Sequence, residues 1–244
     1  MRSTPDTTDL TMSRNDSSLA VAQVALLALF VTALVTAQVT AAKVLAFELP
    51  VSVPVAGETL LLPGAALAYA LTFFASDCYA ELCGRRAAQV MVNVAFAMNF
   101  VLLALVWSTI AAPISPASDV SQAQFADVLG ASTGIVVGSL AAYVVSQNWD
   151  VIVFHWIRDA TDGEHLWLRN IGSTATSQLI DTVIFVGVAF FLFQGLPLDV
   201  VLSLIVGQYL LKLGIAALDT PFVYLVVGVV RSRRQDSTAL AFGD

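Results

Sequence analysis

Long apolar stretches, separated by short polar segments, dominate the pattern along this chain. Most of them reach 20 residues or more, and about 20 apolar residues in a helix cross the ~30 Å hydrocarbon core of a bilayer. The pattern predicts six membrane-spanning helices, at residues 19–47, 63–83, 87–112, 129–157, 170–193 and 200–230. Residues 113–127, rich in Pro, Ser and Asp, are predicted to form a loop.

The segment 48–62 breaks this helical pattern. It contains VSVPVAG, in which valines alternate with other residues beside two prolines and a glycine. Such a pattern is typical of extended strands joined by a turn. The predicted fold is therefore an all-α integral membrane bundle of six transmembrane helices, with a short hairpin between helices 1 and 2.

Polar segments flank the apolar region at both ends. Residues 1–18 combine Ser, Thr, Asp and two Arg, and we expect a disordered N-terminal tail. Residues 231–244 are predicted to form a C-terminal tail, which leaves 19–230 as one six-helix transmembrane domain. The first apolar stretch exceeds the 7–15 residues of a signal-peptide core, so it is predicted to be a retained span.

The basic residues fix the predicted orientation. All nine arginines fall on one side of the six-span arrangement, and the two lysines, Lys43 and Lys212, lie inside predicted spans. Cytoplasmic loops are enriched in Lys and Arg. We therefore predict a multi-pass protein of the cell (inner or plasma) membrane, with both termini in the cytoplasm and the hairpin outside.

Composition narrows the class of protein. Hydrophobic residues make up 58% of the chain and charged residues only 12%, with a mean hydropathy of +0.82. Soluble domains carry about a quarter charged residues, so an ordinary soluble enzyme is excluded, and the scarcity of basic residues argues against nucleic-acid binding. The bilayer is the expected partner. Two cysteines and two histidines give no metal-ligand pattern, so no cofactor is expected.

Ionisable residues inside the predicted spans are the candidates for function, because each costs about 2.5–3.5 kcal/mol in a membrane helix. Asp77 precedes Arg85 by eight residues and Asp150 precedes Arg158 by eight, which places both carboxylates ~12 Å from the cytoplasmic arginines. Glu81 shares a helix face with Asp77. We therefore expect a polar layer in the cytoplasmic half of the membrane.

The fifth predicted span contributes a stripe of polar residues to this layer. Ser177 and Asp181 share a helix face, with Gln178 beside them. Asp181 lies near the midplane, and Lys212 of the sixth span reaches a similar depth. Two interpretations remain open: these groups bind a hydrogen-bonding solute, or Asp181 and Lys212 form an ion pair that joins two helices.

Residues 45–225 resemble the queuosine precursor transporter family, also known as the vitamin uptake transporter family, in the glycine-bearing hairpin with the proline that begins the second span and in four further blocks of sequence. In chain order they are SDCYAELCGRRAA at 76–88, QNWDVIVFHWIR at 147–158, WLRNIGSTATSQLIDTVIF at 167–185 and KLGIAALDTPFVYL at 212–225. The resemblance implies a six-helix importer of a 7-deazaguanine-type precursor of a modified tRNA base, for salvage of queuosine or archaeosine.

The candidate residues suit such a substrate. A carboxylate accepts hydrogen bonds from both N1–H and the exocyclic amine of a 7-deazaguanine, while a lysine or amide donates to O6. The predicted substrate-binding residues are Asp181, Gln178, Asp77, Glu81, Asp150, Lys212 and Ser177.

Other functions remain as alternatives. The chain could be the substrate-binding subunit of an energy-coupling-factor-type vitamin importer, which works with energising subunits, or a proton or cation carrier. An intramembrane aspartyl protease would need two apposed aspartates, and the sequence LIDT around Asp181 lacks the flanking glycine expected there. The sequence leaves open the specific precursor, the energy source and whether the chain forms a homo-oligomer.

Overall fold

The computed structural model describes residues 7–161 and 164–239, and these form a predominantly helical chain with one hairpin. A π-helical segment, Gly187–Phe193, continues the sixth helix. The other elements, in chain order, are α1 (Thr7–Thr40), β1 (Val44–Val53), β2 (Gly57–Pro63), α2 (Ala66–Cys83), α3 (Arg85–Ala111), α4 (Gln122–Gly130), α5 (Ser132–Ala160), α6 (Leu166–Val186) and α7 (Leu198–Ala239).

Among the described residues, five helical segments are long and apolar enough to cross a membrane. They are Leu19–Thr40, Arg85–Ala111, Gln122–Ala160, Ile171–Phe193 and Leu198–Val230. The chain is therefore a multi-pass integral membrane protein. The predicted second span corresponds to α2, which has only 18 residues, includes Asp77 and Glu81, and is not one of these five segments.

The hairpin is longer than the sequence pattern predicted. Helix α1 ends at Thr40, whereas the first span was predicted to reach residue 47, and β1 pairs with β2 from Val44↔Pro63 to Val53↔Gly57. The amide of Gly64 donates a 2.6 Å hydrogen bond to the carbonyl of Lys43, which closes the base of the hairpin. A side chain at position 64 would collide with the carbonyl of Thr40, so glycine is required there.

Three polar segments are helical where the sequence predicted none. Helix α1 already begins at Thr7 and α7 continues to Ala239, because neither extension contains a glycine or proline to end the helix. Residues 1–6 and 240–244 of the predicted tails lie outside the described residues. Within the predicted loop 113–127, Ser121 and Gln124 form a capping box that begins α4.

The chain divides into two compact units. The first comprises Met1–Leu34, Ala68–Ala97 and Gly214–Asp244, and its apolar core contains Phe30, Leu34, Ala75, Met91 and Ala95.

The second unit comprises Val35–Leu67 and Met98–Leu213. Its main packing joins α5 to α6 and to the π-helical segment. Glycines permit this close approach: a Cβ atom at Gly138 would lie 3.1 Å from the carbonyl oxygen of Phe185, and one at Gly134 would lie 2.6 Å from Cβ of Phe193. This packing brings the polar faces of α5 and α6 together.

Candidate functional site

A buried ion pair lies at the centre of the polar residues of the second unit. Nζ of Lys212, on α7, lies 2.5 Å from Oδ2 of Asp181, on α6. The Lys212 side chain is only 3% exposed, whereas that of Asp181 is 18% exposed. The hydroxyl of Ser146, on α5, lies 3.3 Å from the other carboxylate oxygen, Oδ1. One carboxylate therefore joins three helices. Of the two side chains in the ion pair, Asp181 is the more accessible.

A second polar contact joins α5 and α6 closer to the cytoplasmic arginines of the predicted arrangement. The hydroxyl of Ser177 lies 3.3 Å from Oδ1 of Asp150, and Nε1 of Trp149 donates to Oγ1 of Thr176 at 3.2 Å. Ser177 is buried, while Asp150 is half-buried. The hydroxyl groups of Ser177 and Thr176 on α6 therefore face polar side chains of α5.

The remaining candidate of the fifth span, Gln178, is half-buried on α6, three residues before Asp181. Its main-chain carbonyl accepts a 2.8 Å hydrogen bond from the hydroxyl of Thr182. On the neighbouring helix, the hydroxyl of Tyr209 donates to the carbonyl of Ala175 at 3.4 Å. Helix α7 therefore contacts α6 at Ala175, six residues before Asp181, as well as at the ion pair.

Asp77 and Glu81 belong to the first unit. Both side chains are exposed on one face of α2, while Ala75 and Cys78 are fully buried on another. The Nε2 of Gln23, on α1, donates to Sγ of Cys83 at 3.3 Å and joins the two helices. In this unit the exposed acidic face of α2 is thus distinct from the buried face of the same helix.

Two residues near the ion pair were missed by sequence reasoning. Ser146 precedes Asp150 by four residues and so shares its helix face, and Gln208 precedes Lys212 by four in the same way. Both are buried. The same-face spacing was the available signal, but spacing alone does not show which polar side chain of a helix face reaches the neighbouring helix.

No group of three His, Cys, Asp or Glu side chains within the described part of the chain is placed to hold a metal ion. The polar chemistry of the second unit is therefore that of hydrogen bonds and one ion pair. Membrane-crossing helices with buried charged residues define a class of protein, the polytopic membrane proteins that handle polar solutes or ions.

Comparison with known proteins identifies the family. The family described as "Putative vitamin uptake transporter" matches residues 63–226, a range that contains all seven predicted site residues. The chain is also 34% identical over 171 residues to "Probable queuosine precursor transporter" of Bacillus subtilis (strain 168), covering 69% of this chain and 73% of that protein. No solved structure matches. The chain belongs to the vitamin uptake transporter family and is a transporter, not an enzyme, which confirms the resemblance seen in the sequence blocks.

Proposed function

We propose that this protein imports a 7-deazaguanine-type precursor of a modified tRNA base, and that Asp181 is the carboxylate that binds it. The buried Asp181–Lys212 pair is the observation that carries the proposal, because it places a charged hydrogen-bonding group inside a membrane transporter. The relative from Bacillus subtilis is named for a queuosine precursor, which supports the same class of substrate.

The hydrogen-bonding capacity of Asp181 suits this substrate. A carboxylate has about four lone-pair positions, and in the structure Lys212 occupies one on Oδ2 while Ser146 can occupy one on Oδ1. One acceptor position remains on each oxygen. Two acceptors side by side match N1–H and the exocyclic amine of a 7-deazaguanine.

The other candidates are proposed to form the polar path around this carboxylate. Asp150, Ser177 and Gln178 lie on the α5 and α6 faces near Asp181, so they can replace the water that a polar solute loses. We also propose Asp77 and Glu81 of α2, in the first unit, as solute-binding residues, because exposed carboxylates on a membrane-crossing helix need a polar environment.

The proposed architecture has six spans, in which α2 crosses the membrane in addition to the five long apolar segments. A helix of 18 residues is about 27 Å long, close to the ~30 Å hydrocarbon core. With α2 included, both termini lie in the cytoplasm and the β1–β2 hairpin lies outside. A membrane-crossing α2 also keeps Arg85, Arg86 and Arg158 on the same side as the cytoplasmic N-terminus, as the positive-inside rule favours.

Uptake measurements test the function directly. Cells unable to synthesise 7-deazaguanine bases would be given radiolabelled 7-deazaguanine, with and without this protein. We expect saturable uptake that unlabelled 7-deazaguanine competes with strongly and 7-deazahypoxanthine, which lacks the exocyclic amine, competes with weakly. Wild-type protein that is present in the membrane but gives no uptake above cells without it contradicts the proposal.

A further inference from the structure

A glutamine beside the ion pair has a buried acceptor with no partner. Gln208, on α7, is only 6% exposed, and among the described residues its Oε1 atom has no hydrogen-bond partner. The large majority of buried side-chain polar atoms in proteins are hydrogen-bonded, and leaving one unpaired is unfavourable. This atom therefore needs an explanation that the fold of the chain does not supply.

The position of Gln208 links it to Asp181. It lies four residues before Lys212, so the two side chains share a face of α7 about 6 Å apart along the helix axis. The turn that carries them is fixed on two sides: Tyr209 donates to the carbonyl of Ala175 on α6, and a side chain at Gly207 would collide with the carbonyl of Leu61 on β2. Gln208 is thus held in one place next to the ion pair.

The chemistry of a 7-deazaguanine leaves one donor for this acceptor. Its exocyclic amine has two N–H groups, and a carboxylate that accepts from N1–H and from one amine N–H leaves the second amine N–H free. In a site from which water is excluded, that N–H requires an acceptor from the protein. Gln208 offers an acceptor that nothing in the described part of the chain uses.

We propose that Gln208 is a solute-binding residue whose Oε1 accepts a hydrogen bond from the exocyclic amine of the transported base. The inference rests on the proposed function, in which Asp181 binds the N1–H side of the same edge. Together the two residues would accept hydrogen bonds from both N–H groups of the 2-amino group. Gln208 then determines the preference for bases that carry this amine.

The test compares two solutes in two variants. Gln208→Met keeps the approximate length of the side chain and removes its hydrogen-bonding atoms. We expect it to raise KM for uptake of 7-deazaguanine about tenfold, the loss of roughly one hydrogen bond, while KM for 7-deazahypoxanthine stays unchanged. The midpoint of thermal unfolding in detergent should stay equal or rise, because the variant removes an unpaired buried atom.

Ser203→Ala is the matched control. Ser203 is also on α7, is buried, and has a hydroxyl without a partner among the described residues, but it lies about 180° around the helix from Lys212. This variant should leave KM for both solutes unchanged. If Gln208→Met does not accumulate in the membrane, Gln208→Asn replaces it, because the shorter amide withdraws the acceptor and should raise KM for 7-deazaguanine alone.

Each outcome separates the inference from the proposed function. If wild-type protein imports 7-deazaguanine and the Gln208 variants leave its KM unchanged, or change both solutes equally, the role of Gln208 is wrong and the proposed function stands. A lower unfolding midpoint with equal effects on both solutes assigns Gln208 to packing and also overturns the inference. If the wild-type protein does not import 7-deazaguanine, the proposed function fails and the inference fails with it.

Discussion

The unequal burial of Lys212 and Asp181 predicts unequal effects when either is changed. Asp181→Asn removes the carboxylate that pairs with the ammonium of Lys212, whose side chain is 3% exposed, and removing one partner of a buried pair costs about 3–5 kcal/mol. Lys212→Met leaves a carboxylate that is 18% exposed and still near the hydroxyl of Ser146, so its cost should be smaller. Thermal unfolding in detergent measures both. Equal losses of stability would contradict this assignment.

The double variant separates the structural role of the pair from its role in transport. Asp181→Asn with Lys212→Met leaves no unpaired charge, so we expect most of the lost stability to return. Uptake of 7-deazaguanine should not return, because an asparagine amide presents N–H donors where the carboxylate presents its second acceptor oxygen. Recovery of both stability and uptake would show that the pair only joins helices.

Asp77 gives a prediction in the first unit. Its side chain is exposed on α2, so Asp77→Asn should change the free energy of unfolding by no more than about 0.5 kcal/mol. We expect uptake to fall at least about tenfold, because the substituted amide no longer offers two acceptors to a solute. The control is Asp199→Asn, at the exposed start of α7. Uptake by the Asp77 variant at the wild-type rate would contradict a solute-binding role for Asp77.

Sequence spacing located part of the candidate site and could not locate the rest. Counting residues from the ends of the predicted spans placed Asp181 and Lys212 at similar depth, and the ion pair, one of two alternatives, is present in the structure. The contact with Ser146 depends on how far α5 slides along α6, which no pattern within one helix encodes. The unpaired state of Gln208 likewise becomes visible only when every neighbouring side chain is placed.

At the scale of elements, the packing of α5 against the π-helical segment predicts different costs for two glycines. A Cβ at Gly134 would lie 2.6 Å from Cβ of Phe193, too close without a backbone shift, whereas at Gly138 the nearest atom is 3.1 Å away. Gly134→Ala should therefore destabilise the protein by about 1–3 kcal/mol, and Gly138→Ala by less.

The matched control is Gly214→Ala on α7, where a Cβ would meet no atom within 4 Å. Alanine is favoured over glycine in a helix by up to about 1 kcal/mol, so this variant should be neutral or stabilising. Unfolding midpoints in detergent give the order of the three. A Gly134 variant as stable as wild type would mean that the α5 contact tolerates separation.

The boundaries of elements show where local sequence rules worked and where packing overrode them. Alternating valines with Pro and Gly predicted the hairpin, but its strands extend to Val44 and Pro63 because pairing continues while both chains remain extended. The capping box at Ser121 and Gln124 was a readable signal for α4. The π-helical segment, with the sequence GVAFFLF, has no comparable signal, since its apolar residues suit an α-helix equally well.

At the scale of the whole molecule, the status of α2 decides the topology. Five segments of the described chain are long and apolar enough to span, and an odd number would place the two termini on opposite sides. If α2 also spans, the arginines after α2 and α5 lie on the same side as both termini. If it does not, Arg85 and Arg158 still face one side, but that side is opposite the N-terminus.

Residue-specific labelling distinguishes these arrangements. In a background with Cys78 and Cys83 replaced by alanine, single cysteines at Ser118 and at Glu164 would be treated in whole cells with a membrane-impermeant maleimide. Six spans predict labelling at Ser118, between α3 and α4, and protection at Glu164, between α5 and α6. Five spans with the same cytoplasmic N-terminus predict the reverse, because each loop after α2 changes side. The positive-inside rule favours the first pattern, since it keeps Arg85, Arg86 and Arg158 in the cytoplasm. Labelling at Glu164 with protection at Ser118 would overturn the six-span arrangement and place the acidic face of α2 at the outer membrane surface.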